Sequence, residues 1–225
     1  MKFIATDVTD TKERMIGKAS AQLGKPGFAI DPYFYRSHVT YQAELENIIF
    51  KSWLYAGHIS QIAKKGDYFL FDIGEDSIII SRDNKGEVGA MHNICRHRGA
   101  RVCEEPSGNR KAFICPYHGW AYGNDGKLKS ARDMDHRKGF NCKDYSLKAV
   151  RFVVFQGMIF INCDPDAPDF AAPLENIRTQ LGAYDLENAK VAERKTYRID
   201  ANWKLVLENY LECYHCASSH NQYAK

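Results

Sequence analysis

Long hydrophobic runs are missing from this sequence. Its most apolar stretches, Ile78–Ile80, Phe152–Phe155 and Met158–Ile161, fall far short of the roughly 18 apolar residues that a bilayer-spanning helix needs. No membrane span is expected. An export signal is missing too: Met1-Lys2-Phe3-Ile4-Ala5-Thr6-Asp7 meets an acid after three apolar residues, with no apolar region leading to a small-residue cleavage site. A cytoplasmic location is the expectation. Charge of one sign is not in excess, because 31 Lys and Arg are interspersed with 28 Asp and Glu for a net charge of +3. No basic stripe forms, which argues against a nucleic-acid partner. There is no internal repeat or biased segment, and 44% apolar with 26% charged residues is the balance of a globular chain with a core.

What is present is cysteine and histidine, seven and eight of them in 225 residues. An odd cysteine count without an export signal points to metal chemistry in preference to a disulfide framework. The length suits one large domain, or one and a part, at roughly 100–200 residues per domain.

Residues 1–50 read as a leading arm, with a Gly24–Gly27 breaker and a helix from about Thr40 to Phe50 that sets Leu45, Ile48 and Ile49 on one face. From Trp53 to Cys163 the pattern becomes short β-branched and aromatic strands: Tyr68–Phe71, Ser77–Arg82, Glu87–His92, Ala112–Cys115, Val150–Phe155 and Met158–Cys163. Turn residues at Asp83–Gly86, Gly123–Gly126 and Gln156-Gly157 separate them, the pattern of a small antiparallel β domain. Two prolines in Asp164–Asp169 mark the best boundary. A short helix with Leu174, Ile177 and Leu181 follows Pro173, then an expected strand over Lys190–Asp200 and an expected helix over Trp203–Ala217. The fold class is α+β, with segments 1–50, 51–165 and 166–225 as the working divisions.

Cys95-Arg96-His97 and Cys115-Pro116-Tyr117-His118 are separated by seventeen residues, each at the end of a predicted strand. Two thiolates and two imidazoles suit structural zinc, and equally a two-iron, two-sulfide cluster with histidines replacing cysteines on one iron. Spacing alone does not separate these. The flanks do: Cys95-Arg96-His97-Arg98-Gly99-Ala100 and Cys115-Pro116-Tyr117-His118-Gly119-Trp120 resemble, nearly letter for letter, the two ligand loops of Rieske iron–sulfur proteins. The resemblance implies that Cys95 and Cys115 hold one iron of a [2Fe-2S] cluster and His97 and His118 the other. Neutral imidazoles in place of thiolates make such a cluster less negative and raise its reduction potential. Gly99 and Gly119 are expected to let backbone approach the sulfurs, and Trp120 to shield the cluster from water. Cys103, Cys142 and Cys163 have no partner at ligand spacing and read as buried or half-buried free thiols.

Beyond the boundary stands Asn202-Trp203-Lys204-Leu205-Val206-Leu207-Glu208-Asn209-Tyr210-Leu211-Glu212-Cys213-Tyr214-His215-Cys216-Ala217-Ser218-Ser219-His220. On a helix Glu212 and His215 share a face, with His220 just past the helix end. Two histidines and a carboxylate form the facial triad of non-heme iron oxygenases, and by spacing Glu212 could be that carboxylate. The segment is similar to the mononuclear iron motif of Rieske oxygenase α subunits. That resemblance makes His215 and His220 the Fe(II) ligands and Glu212 the bridge that carries electrons from a Rieske histidine of the neighbouring subunit. It also places the third ligand, an aspartate, farther along than this chain reaches. The α subunit joins an all-β Rieske domain to an α+β catalytic domain, with the arm at 1–50 packing on the catalytic side.

Glutamate at the bridge, where ring-hydroxylating members mostly have aspartate, resembles the oxygenases of carnitine, glycine betaine and related quaternary amines. The resemblance implies a terminal oxygenase that takes NAD(P)H electrons from a flavin or ferredoxin-type reductase, activates O2 and oxidises a small organic substrate, leaning to N-demethylation or C–N cleavage. It further implies a homo-oligomer, a trimer. Cis-dihydroxylation of an arene is the alternative, and a Rieske ferredoxin or a zinc-binding module the rival from another class. Tyr210 and Tyr214 read as packing residues more readily than as a cation cage. Cys213 and Cys216 flank His215 like extra ligands, but the resemblance implies that both are left uncoordinated. Arg96, Arg98, Arg101, Arg110 and Lys111, interrupted only by Glu104 and Glu105, form a basic surface suited to steering an acidic partner, or simply a solvated face.

Overall fold

Short β-branched runs become strands here because each has a neighbour to pair with. The computed structural model describes residues 10–134, 136–220 and 222; the Met1–Asp7 segment read above lies outside them. Its helices are α1 (Lys12–Leu23), α2 (Tyr33–Arg36), α3 (His38–Glu44), α4 (Ala171–Leu181), α5 (Trp203–Leu211) and α6 (Cys216–Ser219). The strands are β1 (Leu54–His58), β2 (Asp67–Ile73), β3 (Asp76–Arg82), β4 (Val88–His92), β5 (Ser107–Asn109), β6 (Ala112–Ile114), β7 (Ala121–Gly123), β8 (Leu128–Ser130), β9 (Arg151–Phe155) and β10 (Met158–Asn162). The chain divides into two units, one from Ile48 to Arg194 and one combining residues up to Asn47 with those from Lys195 onward.

The first unit is antiparallel β. Its sheets have strand orders β1-β10-β9, β4-β3-β2-β5 and β6-β7-β8. Ile78, Ile79 and Ile80 of the central strand β3 are fully buried, which is why so apolar a run forms there. All three expected turns close hairpins, Gly123–Gly126 joining β7 to β8. At β9–β10, Gln156 and Gly157 both take positive φ, 47° and 78°, between the paired Phe155 and Met158, as a two-residue hairpin requires. A Cβ at Gly157 would run into the His58 ring, so a larger residue would force that ring to move. At β3–β4 the Asp83 carboxylate accepts from the Lys85 and Glu87 amides at 2.8 and 2.9 Å. Strands β1, β5, β7 and β8 were not expected; three of them are three residues long and carry too little pattern to read. A core of Tyr68, Phe113, Trp120, Tyr122 and Leu128 also encloses Cys95 and Cys115.

The second unit is helical. The arm helix expected over Thr40–Phe50 begins earlier, at His38, where Ser37 Oγ accepts from the Thr40 amide at 2.9 Å, and its last turn widens to a π-helical turn over Leu45–Ile49. Asn202 caps α5, and its amide group donates to the Tyr35 carbonyl at 3.1 Å. Lys204 Nζ donates to both oxygens of Glu44, at 2.7 and 2.9 Å, and to the Phe34 carbonyl at 3.0 Å. Trp203 Nε1 donates to Glu44 at 2.9 Å, and Tyr35 OH to both oxygens of Glu208 at 2.9 and 3.0 Å. Residues 34–44 thereby hold the helix that leads to Glu212.

Two expectations are corrected. Lys190–Asp200 is not a strand: Val191, Tyr197 and Ile199, which suggested one, stay exposed, and alternation without a surface to bury does not make β structure. The helix expected over Trp203–Ala217 ends at Leu211. Glu212 takes an extended backbone, φ −112° and ψ 139°, and its carboxylate accepts from the Tyr214 amide at 2.8 Å, a local bond that competes with the helix.

Candidate metal centres

The two predicted ligand loops are built alike. The first follows β4 and the second β6. Cys95 N–H donates to Ala100 O and Cys115 N–H to Trp120 O, both at 2.8 Å; Gly99 and Gly119 N–H donate back to the Cys95 and Cys115 carbonyls, both at 3.0 Å. Each glycine closes its loop with positive φ, 77° and 72°, and a Cβ there would meet no heavy atom within 4 Å. The amides of these glycines go to the cysteine carbonyls, which turns each loop tightly.

The loops sort their residues by burial. Cys95 and Cys115 are 3% and 2% exposed, while His97 and His118 project to the surface with ring centroids 4.6 Å apart. His97 stacks on Trp120 at 4.9 Å with planes 7° apart, and Trp120 meets Phe140 and Tyr145 edge-on behind it. Partial desolvation, then the charges of His118 and Arg98, push the His97 pKa down, favouring the neutral ring that ligates metal. Burial pushes the Cys115 thiol up.

Two residues that sequence reasoning missed support this site. Tyr122 OH lies 3.3 Å from Cys95 Sγ and accepts from the Arg96 amide at 3.1 Å. Burial, then Cys95, raises its pKa, so the phenol remains protonated and able to donate to sulfur. No sequence signal marks it, because the three-residue strand β7 that carries it holds too little pattern to read. Asn93 is fully buried: its Oδ1 accepts from the Val102 and Cys103 amides at 3.0 and 2.9 Å and its Nδ2 donates to Cys103 O at 2.6 Å, bracing the first loop from below.

The donor set fits a two-iron cluster better than one ion. Among the described residues no three His, Cys, Asp or Glu side chains converge where a single ion could sit, as a four-coordinate zinc site demands. A cysteine pair within and a histidine pair without is the arrangement that two irons in line would use.

At the second constellation, Glu212 and His215 meet across a turn, not along a helix face. Glu212 Oε1 is 2.5 Å from His215 Nδ1. An ionised carboxylate only accepts, so Nδ1 carries the hydrogen and Nε2 is left with its lone pair for a metal. The bond to His215 is the main cause lowering the Glu212 pKa. His220 caps α6, and its ring centroid lies 5.3 Å from that of His215 at 74°. The two rings could share one iron as a pair. Tyr210 and Tyr214 are 82% and 96% exposed, so the packing expected of them is not made.

The basic surface is divided. Arg101 faces Asp72 at 3.7 Å, Arg110 pairs with Glu105, and Arg96, Arg98 and Lys111 are exposed. Cys103 is buried and Cys142 and Cys163 half-buried, all free thiols as expected. No helix of the described residues is long and apolar enough to cross a membrane.

Comparison with known proteins bears on both centres. The Rieske [2Fe-2S] domain family matches residues 52–149, and the catalytic domain of the ring hydroxylating α subunit matches residues 186–225. The chain is 39% identical over 201 residues to the glycine betaine monooxygenase oxygenase subunit of Pseudomonas aeruginosa (strain UCBPP-PA14), covering 88% of this chain and 46% of that protein. It is 36% identical over 197 residues to the chlorobenzene dioxygenase subunit alpha of Cupriavidus sp. (strain PS12), covering 84% and 43%. It is similar to a solved quaternary ammonium Rieske monooxygenase studied for carnitine oxidation and inter-subunit electron transfer, with a TM-score of 0.76, 31% identity, and 85% and 53% of the two chains covered. The chain thus spans about half the length of the relatives it matches.

Proposed function

The chain belongs to the Rieske-type aromatic-ring-hydroxylating oxygenase α subunits, close to their carnitine and glycine betaine monooxygenase group, and on that premise we propose that it is part of a terminal oxygenase that oxidises a quaternary amine. Cys95 and Cys115 would hold one iron of the [2Fe-2S] cluster and His97 and His118 the other. His215 and His220 would hold the mononuclear iron. When bound, the cluster supplies one-electron transfer and the mononuclear iron supplies dioxygen activation.

The chain's own residues have definite tasks in this reading. The core around Trp120 keeps water from the cysteine pair, and Tyr122 donates to Cys95 sulfur. The exposed histidine pair presents the cluster edge to a partner, and Arg96 and Arg98 flank it with positive charge. Glu212 fixes the His215 tautomer from one oxygen, and in the assembled oligomer, a trimer in this reading, it links His215 to the neighbouring subunit's cluster. Electrons come from NAD(P)H through a separate flavin or ferredoxin-type reductase. The segregation of the cysteine pair inside and the histidine pair outside is the observation that carries the assignment.

The substrate class rests on Glu212 in the bridge position and on the likeness to glycine betaine monooxygenase. The test is NADH-dependent oxygen uptake by the iron-loaded full-length oxygenase with a reductase, given glycine betaine, carnitine or an arene. Formaldehyde or free amine released from a trimethylammonium compound supports the proposal, and cis-diol formation with no reaction of the amines contradicts it. The arene reading is kept because of the 36% identity to the chlorobenzene dioxygenase subunit.

A further inference from the structure

Cys213 and Cys216 lie outside the proposed ligand sets, at C-x-x-C spacing around His215. The backbone turns between them. Cys216 N–H donates to Cys213 O at 3.0 Å, and His215, the third residue of the turn, has φ −79° and ψ −13°, close to type I values. Such a turn keeps its end Cα atoms within about 7 Å, and a disulfide spans about 4.4–6.8 Å between Cα atoms. A metal clip does not explain the two cysteines, because among the described residues no third ligand converges on the pair. Cys213 is exposed and Cys216 half-buried, whereas Cys95, Cys103 and Cys115 are buried in the β core.

We propose that Cys213 and Cys216 are a peroxide-oxidisable dithiol that closes a disulfide around the turn carrying His215. The Cys213 thiolate attacks one oxygen of a hydroperoxide, the O–O bond breaks, and the departing oxygen takes a proton, as water when hydrogen peroxide is the oxidant. Cys213 is left as a sulfenic acid. The Cys216 sulfur then attacks the Cys213 sulfur, the S–O bond breaks, and the second oxygen leaves as water. One hydrogen peroxide and two thiols give one disulfide and two waters, with two electrons passing from sulfur to peroxide. A thiol reductant reverses the change by exchange. Tyr214 and His215 then lie within the closed ring, so the site would register peroxide where oxygen chemistry is proposed to occur. The step needs neither cluster nor iron and stands without the proposed function.

The test uses the purified iron-free chain, treated with hydrogen peroxide, alkylated and digested with trypsin. The peptide Leu205–Lys225 contains these two cysteines and no others. It should lose two hydrogens, resist alkylation until reduced, and regain both thiols with dithiothreitol. In Cys216→Ser the loss of two hydrogens should vanish, and Cys213 should be trapped by dimedone as a sulfenic acid. A peptide that stays fully alkylatable, or that gains oxygen atoms without forming the internal disulfide, overturns the proposal. Either failure leaves the cluster assignment untouched.

Discussion

The ring of His97 lies flat on that of Trp120, with centroids 4.9 Å apart and planes 7° from parallel. One loop thereby orients a histidine of the other, and the stack ties the exposed histidine pair to the core. Truncating Trp120 removes both the stack and a side chain only 2% exposed. Trp120→Ala should cost about 3–5 kcal/mol of stability, read as a lower denaturant midpoint, and His97 should lose its fixed ring orientation by NMR. Unchanged stability would show that the core does not depend on this ring.

Tyr122 holds the opposite side of the site, next to Cys95 sulfur. A hydrogen bond to a cluster sulfur stabilises the more negative, reduced state. Tyr122→Phe removes the hydroxyl and little else. At about 1 kcal/mol for the bond, the one-electron potential should fall by about 40 mV in a redox titration, with the cluster still bound. A potential that stays in place would remove Tyr122 from the tuning of the cluster.

Glu44 and Lys204 form an ion pair with side chains 12% and 14% exposed, and Trp203 Nε1 shares the same carboxylate. Glu44→Gln leaves the ammonium without its counter-charge and should destabilise the helical unit by about 2–4 kcal/mol. Replacing both partners, Glu44→Leu with Lys204→Met, should recover most of that loss. Hydrogen exchange along Trp203–Leu211 reports the effect locally, and equal protection in the single and double variants would contradict it.

His92 introduces a pH dependence. Burial is the main cause lowering its pKa, opposed by Asp76 and reinforced by Lys148. A histidine whose folded pKa lies below its unfolded value of about 6.5 binds more protons when unfolded. Its contribution is complete above about pH 6.5 and is lost as pH falls through the lowered value. Stability should therefore decline on acidification below about pH 6.5, and His92→Gln should flatten that slope in denaturant titrations between pH 5 and 7. An identical slope in the variant would exclude His92 as its source.

Which parts were legible follows from where the signal resides. Ile78–Ile80 and the Gln156-Gly157 turn announce themselves locally, so β3 and the β9–β10 hairpin were read directly. Ser107–Asn109 and Leu128–Ser130 form strands only because neighbours are there to pair with, and three residues hold no period. The fit of Lys190–Asp200 to a strand pattern misled because alternation says nothing about available edges. Cys95, His97, Cys115 and His118 were legible as a set from their flanks. That the cysteines point inward while the histidines stack and project outward, and that Asn93 and Tyr122 brace them, depends on contacts between distant segments. At Glu212 the helical period was outweighed by a carboxylate that bonds to the Tyr214 amide and the His215 ring.

Anaerobic reconstitution of the chain with ferrous iron and sulfide, followed by electron paramagnetic resonance of the reduced protein, tests the central claim most directly. A cluster held by Cys95, Cys115, His97 and His118 should give a brown protein with the low average g of mixed histidine and cysteine ligation, lost in His97→Ala and in Cys115→Ala. A colourless protein that holds only zinc, or a signal at the higher average g of an all-cysteine cluster, would contradict it.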